Sequence, residues 1–443
     1  MSKTKGGCGL WMLVLIGAPI VLLLGLLGFF VIGEQAARSK VKDRIAEFRA
    51  EGMPVDDESL DVYYRQNSST ELTDRWLGVL NRFRDEGVFS DEQAPWLSGV
   101  ANIDPASGRW VLDLELKRYT NHSDEELDVD LIDQKVDEYF KRMDPILDDA
   151  KSILAEKQRI YLPIEFDGFN TLLVDIQDSR ALARLFALRA RIAMREGDSQ
   201  GVVDSIEMLD GLAISMESTP SLVAGLVCIS IDGIKIDLLK DALENNALDA
   251  EGLKQLLPSI LSQANINDMV KRSFISERAF GLIVFQTGSF GAEEGKKSLH
   301  PFHGTDSLSY LEAIDQVFDV LPKDDEPIRD LGRFRKEMDA ASARVNDEFE
   351  QRSMLQRIQR PLSGLVMPSF DAVTNAAAGN AQQHRMAAIA IAIRIHEKEN
   401  ATLPSNLKAL SPGLIDLDAL HPVGDDHFGY VTKGTTAPPW CLW

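Results

Sequence analysis

The densest set of candidate metal ligands lies near the C-terminal end of the chain. Carboxylate oxygens on a flexible loop suit Ca²⁺, and imidazole nitrogens suit Zn²⁺. The segment lacks the alternating aspartates, the glycine and the closing glutamate of a calcium-binding loop. We therefore interpret it as a surface connector and predict no metal site. Its candidate ligands are Asp416, Asp418, His421, Asp425, Asp426 and His427.

Two other histidine patterns resemble parts of metal sites. His396 and Glu397 begin a zinc-protease sequence, but Asn400 occupies the position that needs the second histidine. His300 and His303 flank a proline that disfavours a helix, and no cysteine or carboxylate follows at ligand spacing. We interpret the first pattern as a solvated helix end and the second as an ordinary loop.

Motifs for nucleophilic or phosphate chemistry are absent from the sequence. It contains no GxSxG, no GxxxxGK[ST] and no GxGxxG. An acidic run between Asp124 and Asp133 is typical of the first turn of a helix. We therefore predict no catalytic residue and no cofactor.

An uncharged N-terminal segment is the clearest structural signal in the sequence. Leu10 to Ile32 reads LWMLVLIGAPIVLLLGLLGFFVI. A helix needs about 20 apolar residues to cross the ~30 Å hydrocarbon layer of a bilayer. The run exceeds the apolar region of a cleaved signal peptide, and Gly33-Glu34-Gln35 is a poor cleavage site. We predict a single transmembrane anchor that contacts the lipid bilayer through Leu10 to Ile32.

Two observations about the orientation of this anchor oppose each other. Basic residues are more numerous after the anchor than before it, and that count would leave the large domain in the cytoplasm. Long domains translocate largely regardless of the count, and a lysine-flanked anchor is typical of an uncleaved export signal. We expect a cytoplasmic (inner) membrane protein with most of the chain outside the cytoplasm.

Composition limits the partners of the domain. The 443 residues carry 69 acidic and 47 basic side chains, a net charge of −22. Such a charge repels nucleic-acid phosphates and anionic lipid head groups, so we predict no nucleic-acid partner and expect anionic lipid to be a poor partner for the domain. Apolar residues make up 44% of the chain, enough for a globular core. Cys228 lies in an apolar helical run and is predicted to be a buried thiol, with a Cys228–Cys441 disulfide as the alternative in an oxidising compartment.

Helices dominate the predicted architecture. Ser179 to Arg195 and Ser199 to Ser215 are periodic, and Glu196-Gly197-Asp198 turns the chain between them, so we predict a helical hairpin resembling a tetratricopeptide unit. Ser218 to Ile231 carries no charge and is too short to cross a bilayer. We predict that it is a central helix buried on all sides, including Leu226 at its middle.

Smaller signals predict where other elements begin and end. Ser68 and Glu71 form a capping-box pattern that predicts a helix start, and Pro145 predicts a break in a helix over 125–154. A loop is predicted over 288–306. A helix is predicted over 370–398. A short β-hairpin is predicted from Phe428–Thr432 and Trp440–Trp443, docked on the Ala376–Ile395 part of that helix.

Several short segments follow one another in a distinctive order: Phe48 to Val55, Leu188 to Arg191, Glu196 to Asp198, Ser273 to Ala279, Ala390 to Ile393 and Leu403 to Leu407. Their order resembles uncharacterised membrane-anchored proteins of planctomycete-like bacteria. The last segment also resembles the end of type II secretion pseudopilins, although His421 to Gly424 replaces their Asp-Pro-type loop and their N-terminal processing site is missing. The resemblance implies topology and architecture only.

Together these observations predict a mainly α protein in five parts. An anchor (1–33) precedes a helical region (34–165), a tetratricopeptide-like hairpin core (166–290), a linker (291–327), and C-terminal helices with the pseudopilin-like end (328–443). We expect a membrane-tethered, non-enzymatic scaffold of the cell envelope that binds another protein. The alternatives are an accessory component of a type II secretion or pilus-like assembly, and an unrecognised hydrolase.

Overall fold

The computed structural model describes most of the chain between the N-terminal tail and the C-terminal segment. It covers residues 8–88, 100–103, 110–112, 129–287, 301–322, 326–364, 370–411, 413–420, 428 and 430. In the first helix the side chains of 8–24, 26 and 27 lie outside this description. The described part is mainly helical, as predicted.

The N-terminal third forms four helices and one small sheet. The strands β1 and β2 pair antiparallel, with a shift in register between Val100 and Asn102. The elements are α1 (Cys8–Ala50), α2 (Asp57–Gln66), α3 (Thr73–Asp85), β1 (Val100–Ile103), β2 (Trp110–Leu112) and α4 (Val129–Leu154).

The remaining helices form the bulk of the core. Five follow one another closely: α5 (Val174–Glu196), α6 (Ser199–Met216), α7 (Leu222–Glu244), α8 (Ala250–Ser262) and α9 (Asp268–Thr287). The last four are α10 (His303–Phe318), α11 (Leu331–Glu350), α12 (Met354–Gln359) and α13 (Phe370–Asn400), and two short 3-10 turns follow at Leu407–Leu410 and Leu417–Ala419.

Among the residues that the structure describes, no helix combines the length and the apolar character that crossing a bilayer requires. Most side chains of the predicted anchor, Leu10 to Ile32, lie outside the described residues. The anchor therefore stays a prediction.

The predicted helical hairpin is confirmed by α5 and α6. Gly197 adopts the left-handed conformation (φ 72°), which glycine enters without steric cost, and it ends α5. The side chain of Asp198 then accepts a hydrogen bond from Gly201 N and starts α6. Helix α7 packs against both helices of this pair, and α13 packs on α7 and α8. One continuous core of buried residues runs from Phe48 to Leu420.

The capping box predicted at Ser68 and the helix break predicted at Pro145 are both wrong. Ser68 Oγ donates to the carbonyl of Tyr64 instead, and α3 begins at Thr73 without a side-chain cap. Pro145 lies inside α4 because Met143, Ile146 and Leu147 around it are buried. Burial on both sides of the proline outweighs the one backbone hydrogen bond that proline cannot make.

The prediction that the uncharged helix is buried on all sides is also wrong. Leu226 is 39% exposed and Val223 is 53% exposed. These residues and Ser230 form one strip of α7 at i, i+3 and i+7, which α5, α6, α9 and α13 leave uncovered. Cys228 is buried as predicted, and it is a free thiol whose Sγ donates to the carbonyl of Ala213.

Helix α10 occupies part of the segment predicted as loop and linker. It begins at His303 and packs along α1. Glu34 contacts the first turn of α10 and Arg44 pairs with Asp315 near its end, so the two helices run in the same direction. The predicted β-hairpin lies outside the described residues apart from Phe428 and Tyr430, and the second of these donates from its hydroxyl to the carbonyl of Pro404 at 2.9 Å.

Candidate functional site

The most unusual chemistry in the described structure is a buried charge cluster between α6, α7, α8 and α13. At its centre Lys235 Nζ lies 2.9 Å from Asp210 Oδ1 and 2.8 Å from Asp232 Oδ1. The same ammonium donates to Gln263 Oε1 at 3.0 Å. Three oxygens from three helical segments therefore surround one ammonium group.

The carboxylate of Asp210 is fully engaged. Ser259 Oγ donates to Oδ2 at 2.6 Å and Gln263 Nε2 donates to Oδ1 at 2.7 Å. Lys157 Nζ lies 2.9 Å from Oδ2 on the outer side. Burial opposes ionisation, yet Lys235 and Lys157 overcome it and lower the pKa of Asp210 to about 2. Asp210 is therefore ionised at neutral pH.

The contacts from α13 to the cluster are longer than those around Lys235. Asn380 Nδ2 donates to Asp232 Oδ2 at 3.2 Å, and His384 Nε2 lies 4.0 Å from the same oxygen. Burial and then the charge of Lys235 lower the pKa of His384 to about 4. His384 is therefore neutral at pH 7 and adds no charge to the cluster.

This cluster resembles a catalytic constellation in its residue types but differs in access. Lys235 and His384 are 0% exposed and Asp210 is 2% exposed. A general base or nucleophile must come within hydrogen-bond distance of a substrate atom. The observed arrangement satisfies buried charges and holds four helical segments together.

A polar cleft opens beside the cluster. It has a volume of about 590 Å³, and Lys157 and Gln263 form part of its wall. Arg159 crosses it, with Nη2 2.8 Å from Asp268 Oδ1 and Nε 3.4 Å from Glu217 Oε2. Because the arginine is already paired with two carboxylates, the cleft offers little free charge to a ligand.

A second cavity, which we call the groove, is more apolar. It has a volume of about 380 Å³ and lies between α2, α5 and the segment that links α4 to α5. Tyr64 closes one end: its hydroxyl accepts from Leu162 N at 3.0 Å and donates to the carbonyl of Ile160 at 3.3 Å. The apolar lining consists of Leu162, Pro163, Ile164, Leu172, Leu173, Ile176 and Met216.

The rim of the groove places an exposed apolar side chain beside exposed acidic groups. Leu172 is 79% exposed, among the highest values for a large apolar residue in the described chain. Glu165 and Asp167 stand exposed on the rim. Asp175, also on the rim, lies 2.6 Å from Arg84 Nη2 and is neutralised by it. The rim therefore presents an apolar contact and negative charge together.

Comparison of the chain with protein-family models, with curated proteins and with solved structures finds no match.

The structure does not bring the candidate metal ligands together. Asp416 accepts from Asp418 N at 3.1 Å and begins a 3-10 turn, while His421, Asp425, Asp426 and His427 lie outside the described residues. Elsewhere in the described chain, no group of three or more histidine, cysteine or acidic side chains is placed to hold a metal ion. His396 accepts from Asn400 Nδ2 through its carbonyl on α13, and His303 begins α10.

The sequence analysis predicted neither the buried charge cluster nor the groove. Asp210 and Lys235 are 25 residues apart, and only the packing of α6 on α7 joins them. One signal was present: each charge has apolar residues three or four positions away on its helix, Ile206 and Ala213 for Asp210, and Ile231 and Leu238 for Lys235. A buried charge requires a partner, so such positions predict a pair without saying which residues form it.

Proposed function

We propose that this chain is a membrane-tethered, non-enzymatic helical protein of the cell envelope that binds a segment of a partner protein in the groove. The observation that carries the proposal is the groove rim, where Leu172 is 79% exposed beside an apolar cavity. An exposed apolar side chain at the mouth of an apolar cavity is typical of a peptide-binding surface.

The chemistry of the rim selects the partner. Glu165 and Asp167 favour a basic residue, and the lining favours an apolar side chain at the centre of the bound segment. We therefore propose an extended or helical segment with one large apolar residue flanked by lysine or arginine. The burial of Asp210 and Lys235 supports a binding function over catalysis, because these two groups are out of reach of a substrate.

Peptides in which the central residue and the flanking charges are varied would test this function by fluorescence anisotropy. Apolar, basic peptides should bind, and acidic versions of the same peptides should bind at least about tenfold more weakly, equivalent to about 1.4 kcal/mol. Leu172→Asp should abolish binding. The matched control is Val62→Asp, since Val62 is 47% exposed on α2 and does not line the groove. Equal binding by both variants would rule the groove out.

We propose further that Leu10 to Ile32 anchors the chain in the cytoplasmic membrane, with the domain outside the cytoplasm. Support comes from the length of the uncharged run and from Phe29, Val31 and Ile32, which are 73%, 50% and 69% exposed at its end. A reporter active only outside the cytoplasm, fused after Trp443, should be active. Activity of a cytoplasmic reporter alone would reverse the orientation.

A further inference from the structure

The short helix α12 exposes an apolar face. Met354, Leu355 and Ile358 are 81%, 53% and 57% exposed, and α12 contains no buried residue. A capping box between Ser353 and Gln356 nevertheless fixes its start. This helix is therefore held in place although more than half of the surface of each apolar side chain stays uncovered by the described chain.

Hydrogen bonds hold α12 beside the first turns of α10. The carboxylate of Asp306 accepts from Leu362 N at 2.8 Å and from Ser363 N at 2.9 Å. On the other side of α12, Arg352 Nη2 donates to Ser309 Oγ at 2.6 Å. Both ends of the segment 352–363 are thus attached to the N-terminal part of α10.

That part of α10 is also attached to α1, close to the end of the predicted anchor. Gly304 N donates to Glu34 Oε1 at 2.6 Å, and Thr305 N and Oγ1 donate to Oε2 at 3.0 and 2.9 Å. Phe302 packs against Phe30 with ring centroids 5.9 Å apart. Glu34 follows Ile32 by two residues, so α12 lies at the end of the domain nearest the proposed bilayer.

The charge of this segment differs from that of the chain as a whole. Residues 351–360 read QRSMLQRIQR, with three arginines and no acidic residue, in a protein of net charge −22. Arg357 is exposed and Arg360 is half-buried. Exposed apolar side chains beside arginines are the composition of helices that lie in the interface of an anionic membrane.

We propose that α12 is a second membrane contact, in which Met354, Leu355 and Ile358 enter the interface of the same anionic bilayer that holds α1. This inference rests on the proposed anchor. Three features favour lipid as the occupant: attachment to the helix that leaves the anchor, exposure of the apolar face, and positive charge against anionic head groups. A protein that covers this face is the competing outcome.

Photo-crosslinking of the full chain in vesicles would test the proposal. The vesicles contain equal parts of phosphatidylglycerol and phosphatidylcholine, and benzoylphenylalanine replaces Met354, Phe29 or Val62 one at a time. We expect lipid adducts at Met354 and Phe29 and none at Val62, which is exposed on α2. Adding Leu355→Asp and Ile358→Asp should reduce the Met354 adduct several-fold, while circular dichroism stays unchanged because both side chains are exposed.

The remaining outcomes separate this inference from the anchor. Adducts at Phe29 without adducts at Met354 overturn the role of α12 and leave the anchor intact. No adducts at either position, with the protein recovered outside the vesicles, overturn the anchor itself. Adducts between protein chains at Met354 would make this face a protein contact and overturn the lipid assignment. In phosphatidylcholine alone the Met354 adduct should fall several-fold, and an equal yield would refute the contribution of the arginines.

Discussion

At the scale of residues, a cluster of buried charges around Lys235 connects several helices. Lys235 is fully buried, and its ammonium is surrounded by Asp210, Asp232 and Gln263. Such a cluster is stable only as a whole, because each charge compensates for the desolvation of the others. Removing one member leaves the rest buried and uncompensated.

Lys235→Met should therefore destabilise the domain by about 3–5 kcal/mol. Urea unfolding followed by circular dichroism measures the change. The control is Lys254→Met, which removes an exposed lysine paired with Glu251 and Glu399 and should leave the free energy of unfolding nearly unchanged. Similar losses for both variants would show that the buried cluster contributes nothing special.

Two buried titratable groups should give opposite pH dependences. Burial raises the pKa of Glu277 to about 7, although Leu222 N donates to its Oε1 at 3.0 Å. Folded Glu277 therefore binds protons more tightly than in the unfolded chain, and its contribution to stability falls as pH rises from about 4.5 to 7. The pKa of His384 is lowered to about 4, so its contribution rises with pH between about 4 and 6.5.

The two contributions nearly cancel in the wild-type protein between about pH 4.5 and 6.5. Glu277→Gln keeps an acceptor for Leu222 N and removes one contribution. In this variant stability should rise with pH across the window, and at pH 8 it should exceed that of the wild type by about 3 kcal/mol. Unfolding in urea at pH 5, 6, 7 and 8 measures both profiles. If the stabilities of the wild type and the variant change with pH in parallel, Glu277 does not cause the predicted pH dependence.

At the scale of elements, close approach of helices depends on particular glycines. A Cβ at Gly281 of α9 would lie 1.9 Å from the hydroxyl of Tyr310 on α10. That hydroxyl donates to the carbonyl of Glu277 at 3.1 Å and is fully buried, so it has no room to move. The spacing between α9 and α10 is therefore set by the absence of a side chain.

Gly281→Ala should destabilise the domain by about 1–3 kcal/mol, although alanine favours helices. Gly379→Ala on α13 is the matched control, because no atom lies within 4 Å of its Cβ position. There the higher helix propensity of alanine should stabilise the domain by about 0.5–1 kcal/mol. Thermal unfolding of both variants distinguishes them by the opposite signs of the change in Tm.

Sequence patterns predicted elements better than contacts between elements. The hairpin of α5 and α6 was predicted because Gly197 and Asp198 act locally, through backbone conformation and capping. The exposure of Leu226 and the continuity of α4 through Pro145 were not predicted, because both depend on which neighbours cover the helix. The buried cluster and the groove were not predicted for the same reason, because the residues that form them come from distant segments of the chain.

At the scale of the whole molecule, α1 belongs to the core as well as to the proposed anchor. Ala37 and Phe48 are buried, and Glu34 joins the helix to α10. The Arg38 guanidinium and the backbone of Gly304 and Thr305 hold the pKa of Glu34 below its usual value despite burial. The start of the folded domain therefore lies at Glu34 rather than after α1.

Truncation should locate this boundary. A chain without residues 1–33 keeps Glu34 and Phe48 and should unfold cooperatively with a strongly helical spectrum. A chain without residues 1–50 loses both, and the missing Phe48 alone should cost about 3–5 kcal/mol. Equal melting temperatures for the two truncated chains would show that α1 adds nothing to the core.

The continuity of α1 also sets the direction in which the groove faces. Because α1 is continuous, the rotation of the domain about the helix axis would be fixed relative to the proposed anchor. Each residue inserted between Ile32 and Glu34 would turn the domain by about 100° and lift it by about 1.5 Å. A partner fixed in the same membrane would then meet the groove only at whole turns, and a series of alanine insertions should restore its binding with a period of about 3.6 residues.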